Sequence, residues 1–193
     1  MNEQRIGDWL QTYSGGQFFP LDPRPEEIDI RDIAHSLSLI CRFNGHCRSF
    51  YSVAEHSIRA SFLVPPEDAP YALLHDAVEV YTGDIITPIK NQLLYSAPGD
   101  TRQMSFRKRE HEILAVVLRR FGLKETLPDS VKKADLIMLA TEFRDIMVES
   151  ENPPPLIEQP LSGKIEPWSP ESAEMHFLFK ATQYGFTEAD DGR

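Results

Sequence analysis

A histidine and an aspartate stand side by side among apolar residues, in the segment from Leu73 to Val78. Pro70 suits the first position of a helix and Gly83 suits its end. The segment therefore predicts a helix that is apolar on nearly all sides, as is typical at the centre of a bundle. An ionised Asp76 there needs a cation, a hydrogen-bond network or a bound metal, because burying a lone carboxylate is costly. The fold has to enclose a polar centre.

Helical start and stop signals recur along the rest of the chain. The sequence Ser52-Val53-Ala54-Glu55 fits a capping box, in which each side chain satisfies a backbone donor of the other residue. Apolar spacing together with caps, prolines and glycines predicts helices over about 29–44, 52–64, 70–83, 87–94, 100–121, 129–148 and 169–184. We therefore expect an all-α bundle of about six or seven helices.

The length of 193 residues favours one compact domain with extensions. Glycine and proline turns before residue 29 predict a loop-rich N-terminal extension over 1–28 that covers the bundle with short strands. The helical domain is expected over 29–185, and a flexible tail over 186–193.

Charge and cysteine content limit the partners. Lys and Arg total 20 against 30 Asp and Glu, and the net charge of -10 argues against a nucleic-acid polymer as partner. Two cysteines and no basic-then-apolar leader indicate neither a disulfide framework nor secretion, so we expect a cytoplasmic protein. No apolar run approaches the roughly 18 residues of a membrane span, so no membrane association is expected.

Two further groups of the metal-ligand type lie on neighbouring predicted helices. His56 precedes His75 by 19 residues, and Asp135 follows Asp76 by 59 residues. Two imidazoles and two carboxylates form a mixed nitrogen and oxygen set that suits Mn, Fe, Co, Ni or Zn and does not require thiolates. The four residues are therefore candidate ligands of one metal.

Each candidate ligand also has a purely structural interpretation. The doublet could be a core pair hydrogen-bonded to the backbone and to an arginine. His56 could be an ordinary buried or surface histidine, and Asp135 could pair with a basic side chain of its own helix. Only the combination of all four favours a metal.

Two more carboxylates are candidates for catalysis. Glu79 lies four residues after His75, so both side chains share one side of the predicted helix. Asp84 follows the end of that helix directly. A free carboxylate near a metal can move a proton during hydrolysis. The alternative for Glu79 is a position on a solvated helix face.

The spacing of these residues resembles a known signature. His56, the His75-Asp76 doublet and the distant Asp135 resemble the H...HD...D pattern of the HD-domain phosphohydrolases, over about 29–148. The run from 75 to 84, followed by residues 87–90, is similar to that of bacterial 5'-deoxynucleotidases and their deoxynucleoside-triphosphate-cleaving relatives. The length and the N-terminal block are similar to those of oxetanocin-type phosphohydrolases.

The resemblance implies an HD-domain helical bundle with one divalent metal, namely Co, Mn, Ni, Fe, Mg or Zn. The predicted ligands are His56, His75, Asp76 and Asp135. The same resemblance implies that Glu79 and Asp84 form an acidic pair near the reacting phosphate.

Arg42 and Phe43 fall where these enzymes place an arginine beside an aromatic residue, so the resemblance implies a phosphate contact and a stacking surface. The alternative for Arg42 is a partner of a helix C-terminus. Arg48 and Lys90 are further phosphate candidates by their charge, or exposed solubilising residues. The basic run 107–109 is followed by Glu110 and Glu112 and favours a mixed, solvated surface.

The resemblance implies a metal-dependent phosphohydrolase that removes phosphate from small nucleotides, above all deoxynucleoside mono- to triphosphates or nucleoside-analogue phosphates. The alternatives are an HD phosphoesterase for cyclic nucleotides or guanosine tetraphosphate, and a non-catalytic nucleotide-binding module. The expected partner is a small-molecule nucleotide, and homo-oligomerisation is left open.

Overall fold

The computed structural model describes residues 5–96 and 99–186, which are mostly helical. The α-helices are α1 Ile30–Leu39, α2 Val53–Ser61, α3 Ala69–Leu74, α4 Glu79–Thr82, α5 Thr87–Lys90, α6 Phe106–Arg120, α7 Asp129–Asp145 and α8 Pro170–Gln183. Two antiparallel ladders pair β1 Leu10–Gln11 with β2 Gln17–Phe18, and β3 Leu94–Tyr95 with β4 Met104–Ser105. The predicted all-α class is confirmed. Among these helices, none combines the length and apolar character needed to cross a membrane.

Helix α2 lies at the centre of the bundle. It packs against α1, α3, α7 and α8, and α1 also packs against α8. The N-terminal residues join the same core, since Phe18 and Ile28 are fully buried and the Phe18 ring stacks on Tyr81 at 3.7 Å. At the other end Phe186 is buried, whereas residues 187–193 of the predicted tail lie outside the described residues.

The N-terminus of α2 is capped by only half of the predicted capping box. The Ser52 hydroxyl accepts the Glu55 N–H at 3.1 Å, as expected. The Glu55 carboxylate turns away from the helix start and accepts from the Arg59 guanidinium and the Trp168 N–H, each at 2.8 Å. Glu55 therefore fastens a distant segment to α2.

Helix α1 ends at Leu39, about five residues before the predicted end. The chain becomes extended there, and Arg42 N–H donates to the Tyr51 carbonyl at 2.9 Å while Val53 N–H donates to the Ile40 carbonyl at 3.0 Å. These long-range bonds replace further helical turns, and they bring Arg42 beside the start of α2.

The helix predicted over 70–83 is interrupted between α3 and α4. His75 Nδ1 lies 2.7 Å from the carbonyl of Ala72, the group that would accept the Asp76 amide in a regular α-helix. The following amides bond three residues back, as the Glu79 N–H does to the Asp76 carbonyl at 3.0 Å. The tighter turn sets the direction of the His75-Asp76 doublet.

The β3–β4 ladder changes two further predicted boundaries. Helix α5 ends at Lys90 instead of near 94, and α6 begins at Phe106 instead of near 100. The residues at the predicted end of α5 and at the predicted start of α6 instead form β3 and β4, with Leu94 paired to Ser105. The Ser105 hydroxyl then caps α6 by accepting from the Lys108 N–H.

Candidate metal centre

The four predicted ligands come from three places in the fold and lie together. His56 is on α2, the His75-Asp76 doublet follows α3, and Asp135 is on α7. His56 Nε2 lies 3.2 Å from His75 Nε2 and 3.2 Å from Asp135 Oδ1. Asp76 Oδ2 lies 3.3 Å from His75 Nε2 and 3.7 Å from His56 Nε2. Ligand atoms of His56, His75 and Asp135 all fall within 4.8 Å of one another, so this cluster could hold a metal ion.

Each imidazole ring is held in orientation by an oxygen atom next to its Nδ1. His56 Nδ1 lies 2.6 Å from Glu142 Oε1, and His75 Nδ1 lies 2.7 Å from the Ala72 carbonyl. Because each Nδ1 faces an oxygen acceptor, each neutral ring carries its hydrogen there and a lone pair on Nε2. Metal-binding histidines are held in this way by carboxylates and carbonyls. In this neutral form, the two Nε2 atoms are available to a cation, and they face each other and the two carboxylates.

Glu142 was missed by the sequence analysis and connects two parts of the site. It is fully buried, and its second oxygen accepts from Arg42 Nε at 3.1 Å. Burial raises the pKa of Glu142, but the charges of Arg42 and His56 outweigh it and leave the pKa below its usual value. The signal in the sequence was its position seven residues after Asp135, two helical turns along the same face of α7.

Arg42 belongs to the site and is not a partner of the α1 C-terminus. Its Nη1 lies 3.3 Å from Asp76 Oδ2, in addition to the contact with Glu142. The neighbouring Phe43 ring lies 5.4 Å from the guanidinium and meets Phe143 edge to face at 5.3 Å. Arg42 therefore lies at the cluster, and Phe43 lies beside Arg42.

The backbone that carries this pair is strained. Phe43 and Asn44 have φ values of 54° and 52°, and Gly45 follows at 80°. Glycine adopts this left-handed region freely and asparagine tolerates it, but a bulky residue such as phenylalanine rarely does. Strain of this kind is typical of functional segments.

The charged groups of the cluster shift the pKa values of His56 and Asp135. Burial and Arg42 oppose protonation of His56, but Glu142 and Asp135 outweigh them and raise the pKa of His56 to about 10. Burial likewise acts to raise the pKa of Asp135, yet the His56 hydrogen bond and the nearby His75 and Arg42 charges hold it well below its usual value. The carboxylates around His56 therefore favour positive charge on its ring.

Glu79 lines the same cavity as the cluster, which has a volume of about 390 Å³. It is only 6% exposed, so the alternative of a solvated helix face does not hold. Its Oε2 is buried without a hydrogen-bond partner among the described residues. Burial, followed by the charges of Asp76 and Asp84, raises the pKa of Glu79 well above its usual value.

The remaining predicted residues fall on different sides of the cluster. Asp84 follows Gly83, and burial raises its pKa although Arg42 lowers it. Lys90 lines the 390 Å³ cavity and pairs with Glu110 at 2.7 Å. Arg48 instead donates to the Asp145 carbonyl and lines a separate cavity of about 650 Å³. The structure brings Lys90, but not Arg48, to the cavity of the metal ligands.

Two further basic residues of this cavity were missed by the sequence analysis. Arg107 of α6 and Lys132 of α7 both line it. Lys132 precedes Asp135 by three residues, which places both on one side of α7. Arg107 belonged to a basic run that the sequence assigned to a solvated surface.

Comparison with known proteins identifies two similar chains. Uncharacterized protein YfdR of Escherichia coli is 42% identical over 150 residues, which cover 78% of this chain and 79% of YfdR. Uncharacterized protein RCAP_rcc00048 of Rhodobacter capsulatus is 33% identical over 180 residues, 82% of this chain and 87% of that protein. No protein-family model matches the chain. At this identity and coverage, the chain belongs to the same protein family as YfdR.

Proposed function

We propose that this protein is a metal-dependent phosphohydrolase of the HD type that acts on small nucleotides. The observation that carries the proposal is the excess of acceptors at the cluster. Two Nε2 atoms meet two carboxylates within 3.7 Å, while both Nδ1 atoms are already bound to oxygens. Such a set is compensated by a cation.

The residues present fit a divalent metal. His56, His75, Asp76 and Asp135 would hold it, and two nitrogen and two oxygen donors suit Mn, Fe, Co, Ni or Zn. When bound, a divalent metal supplies Lewis acidity, which polarises a phosphoryl oxygen and lowers the pKa of water. Glu79 Oε2 is buried without a hydrogen-bond partner among the described residues, and Glu79 lines one cavity with His75, Asp76 and Asp135, where a proton must move during hydrolysis.

The other side chains divide the remaining tasks. Arg42 is held by Asp76 and Glu142 beside the cluster and would bind a phosphate oxygen. Phe43 offers an aromatic face next to it for the nucleoside. Glu79 would take up and release the proton, with Asp84 nearby. The resemblance to HD-domain phosphohydrolases supports the same assignment.

The test is a substrate panel with metal-free protein and with protein reconstituted with each metal. We expect metal-dependent release of phosphate from deoxynucleotides, with a specificity constant far above that for a sugar phosphate of equal charge. The panel includes cyclic nucleotides and guanosine tetraphosphate, which separate the other HD phosphoesterases by their products. Binding of nucleotides without turnover in every metal state would overturn the proposal in favour of a binding module.

A further inference from the structure

We propose that the exposed end of the 390 Å³ cavity binds the non-scissile phosphates of a nucleoside di- or triphosphate, through Arg107 and Lys132. This inference rests on the proposed function and deepens it, because it names the class of nucleotide that the site prefers. It concerns exposed residues of the cavity lining, which are not among the predicted metal ligands.

The residues that line the cavity differ in exposure, and we call the part lined by its exposed basic residues the exposed end. His75 and Glu79 are 8% and 6% exposed, and the side chains of Asp76 and Asp135 are 21% and 42% exposed. Arg107, His111 and Lys132 are exposed. Since all of them line one cavity, a single ligand can reach from the buried ligands to the exposed basic residues.

The basic run on α6 is split by the fold. Lys108 and Arg109 both pair with Glu112, and Arg109 also donates to the Tyr95 hydroxyl. Arg107 turns the other way, into the cavity, where its Nε donates to the Asn91 side-chain oxygen at 2.6 Å. That bond uses one donor and fixes the guanidinium. Its terminal N–H groups form no hydrogen bond with the described residues, so they can bind an anion.

The two consecutive lysines on α7 are split in the same way. Lys132 lines the cavity and Lys133 does not. Within the described part of the chain, Lys132 forms no ion pair. A lysine and an arginine from two different helices thus line the same cavity.

Most of the negative charge at this end is already matched. Glu110 pairs with Lys90 at 2.7 Å, and the other acidic lining residues are Asp76, Glu79, Asp135 and Asp129. Among the charged lining residues that are exposed, Arg107 and Lys132 stand against Asp129 alone. A local positive excess is unusual in a chain of net charge -10. It favours an anionic ligand group at this end over an uncharged one.

The size of the cavity and the placement of its basic residues indicate the class of ligand. A phosphate at the ligands of the cluster would leave the exposed end empty if it were the only anionic group. A cavity of about 390 Å³ is within the range of roughly 300–1,000 Å³ that small-molecule sites occupy. Further phosphates in the same chain would reach Arg107 and Lys132, and each contact would be a charge-assisted hydrogen bond.

The first experiment measures binding without turnover. Pyrophosphate and orthophosphate are titrated into the full chain by calorimetry at one fixed free Mn²⁺ concentration. We expect pyrophosphate to bind at least about tenfold more tightly, and Arg107→Ala and Lys132→Ala each to weaken pyrophosphate about tenfold with orthophosphate unchanged. The neighbours Lys108→Ala and Lys133→Ala are matched controls and should bind as the wild type does. Equal affinity for the two anions, or equal losses in test and control variants, would overturn the proposal.

The second experiment separates this inference from the proposed function. Specificity constants are measured for a deoxynucleoside mono- and triphosphate with the same base. We expect Arg107→Ala and Lys132→Ala to lower the triphosphate value about tenfold and to change the monophosphate value less than twofold. Equal effects on both substrates would refute the phosphate assignment while leaving the hydrolase intact. Absence of turnover with intact pyrophosphate binding would refute the hydrolase alone.

Discussion

Two buried polar networks are built on the same pair of helices, α2 and α7, and they differ in how their acceptors are satisfied. On one side, Glu55 and Asp145 bind the 161–168 segment. Glu55 accepts from Arg59 and the Trp168 N–H, and Asp145 accepts from Arg144 and the Ile165 N–H. Every one of these contacts joins a carboxylate to a protein donor.

On the other side, the cluster has more acceptors than donors. Arg42 is shared between Asp76 and Glu142, and the Glu79 Oε2 has no partner in the described part of the chain. A buried polar network that serves only the fold is fully paired, as the one at the 161–168 segment is. The difference teaches that the imbalance, and not burial itself, is what supports the proposal of an external cation at this site.

The largest effect is expected from Asp76→Ala. Removing this carboxylate takes away one predicted ligand and the partner of Arg42, so metal binding and phosphate release should both fall to background. Elemental analysis and turnover on one preparation check this. Stoichiometric metal at unchanged affinity would show that the ligand assignment is wrong.

The second effect is expected from Glu79→Gln, which keeps the shape of the side chain but cannot carry a proton. Turnover should fall by about 10²–10⁴, the range for a positioned acid or base, while metal content and melting temperature stay close to wild type. Unchanged turnover in the folded, metal-loaded variant would move the proton-transfer role to Asp84.

The third effect is expected from Glu142→Gln, which weakens the hold on both His56 and Arg42. Metal affinity should fall by roughly 10–100-fold, as for other outer partners of metal-binding histidines. The Michaelis constant should rise as well, because Arg42 loses a charged partner. A change in melting temperature alone, with metal affinity and kinetics intact, would reduce Glu142 to a structural residue.

A smaller effect on function is expected from Asp145→Asn, in the fully paired network. The change weakens the contacts with Arg144 and Ile165, and it should lower the free energy of unfolding by about 1–3 kcal/mol. Turnover per folded molecule should remain within twofold. Denaturant unfolding and an assay of the folded fraction check both; a large loss of turnover would mean that the two networks are not separable.

The smallest effect concerns acid stability. The hydrogen bond from Arg144 lowers the pKa of Asp145 below its ordinary value of 3.8, although burial opposes it. A carboxyl with a depressed pKa in the folded state stabilises above its unfolded pKa, and this contribution is lost as the pH falls through the folded pKa. The wild type should therefore lose its stability advantage over Asp145→Asn below about pH 4. Unfolding curves from pH 3 to pH 7 measure this, and a constant difference would contradict it.

Much of the helical framework could be predicted from the sequence, because helix caps and apolar spacing are local signals. The starts of α2, α7 and α8 follow Ser52, Pro128 and Ser169 closely, and the four candidate ligands do lie together. The interruption after α3 could not be predicted, since it depends on the His75 side chain binding a backbone carbonyl.

The contacts between distant segments could not be predicted from the sequence either. Glu142 looks like any polar residue of an amphipathic helix until Arg42 and His56 are placed beside it. The split between Arg107 and Lys108 depends on the direction in which α6 faces, which a mixed run of charges does not specify. The HD-type chemistry itself stays a proposal.

Because Glu55 and His56 are adjacent in α2 and Glu55 binds the Trp168 N–H, the fluorescence of Trp168 is a candidate reporter on the site. His56 belongs to the cluster, and the preceding residue holds the backbone of Trp168, whose indole also lies 4.8 Å from the Arg59 guanidinium. The chain contains two tryptophans, and the other, Trp9, is 47% exposed near the N-terminus. A displacement of α2 on ligand binding would change the surroundings of Trp168, so its fluorescence offers a label-free test of binding.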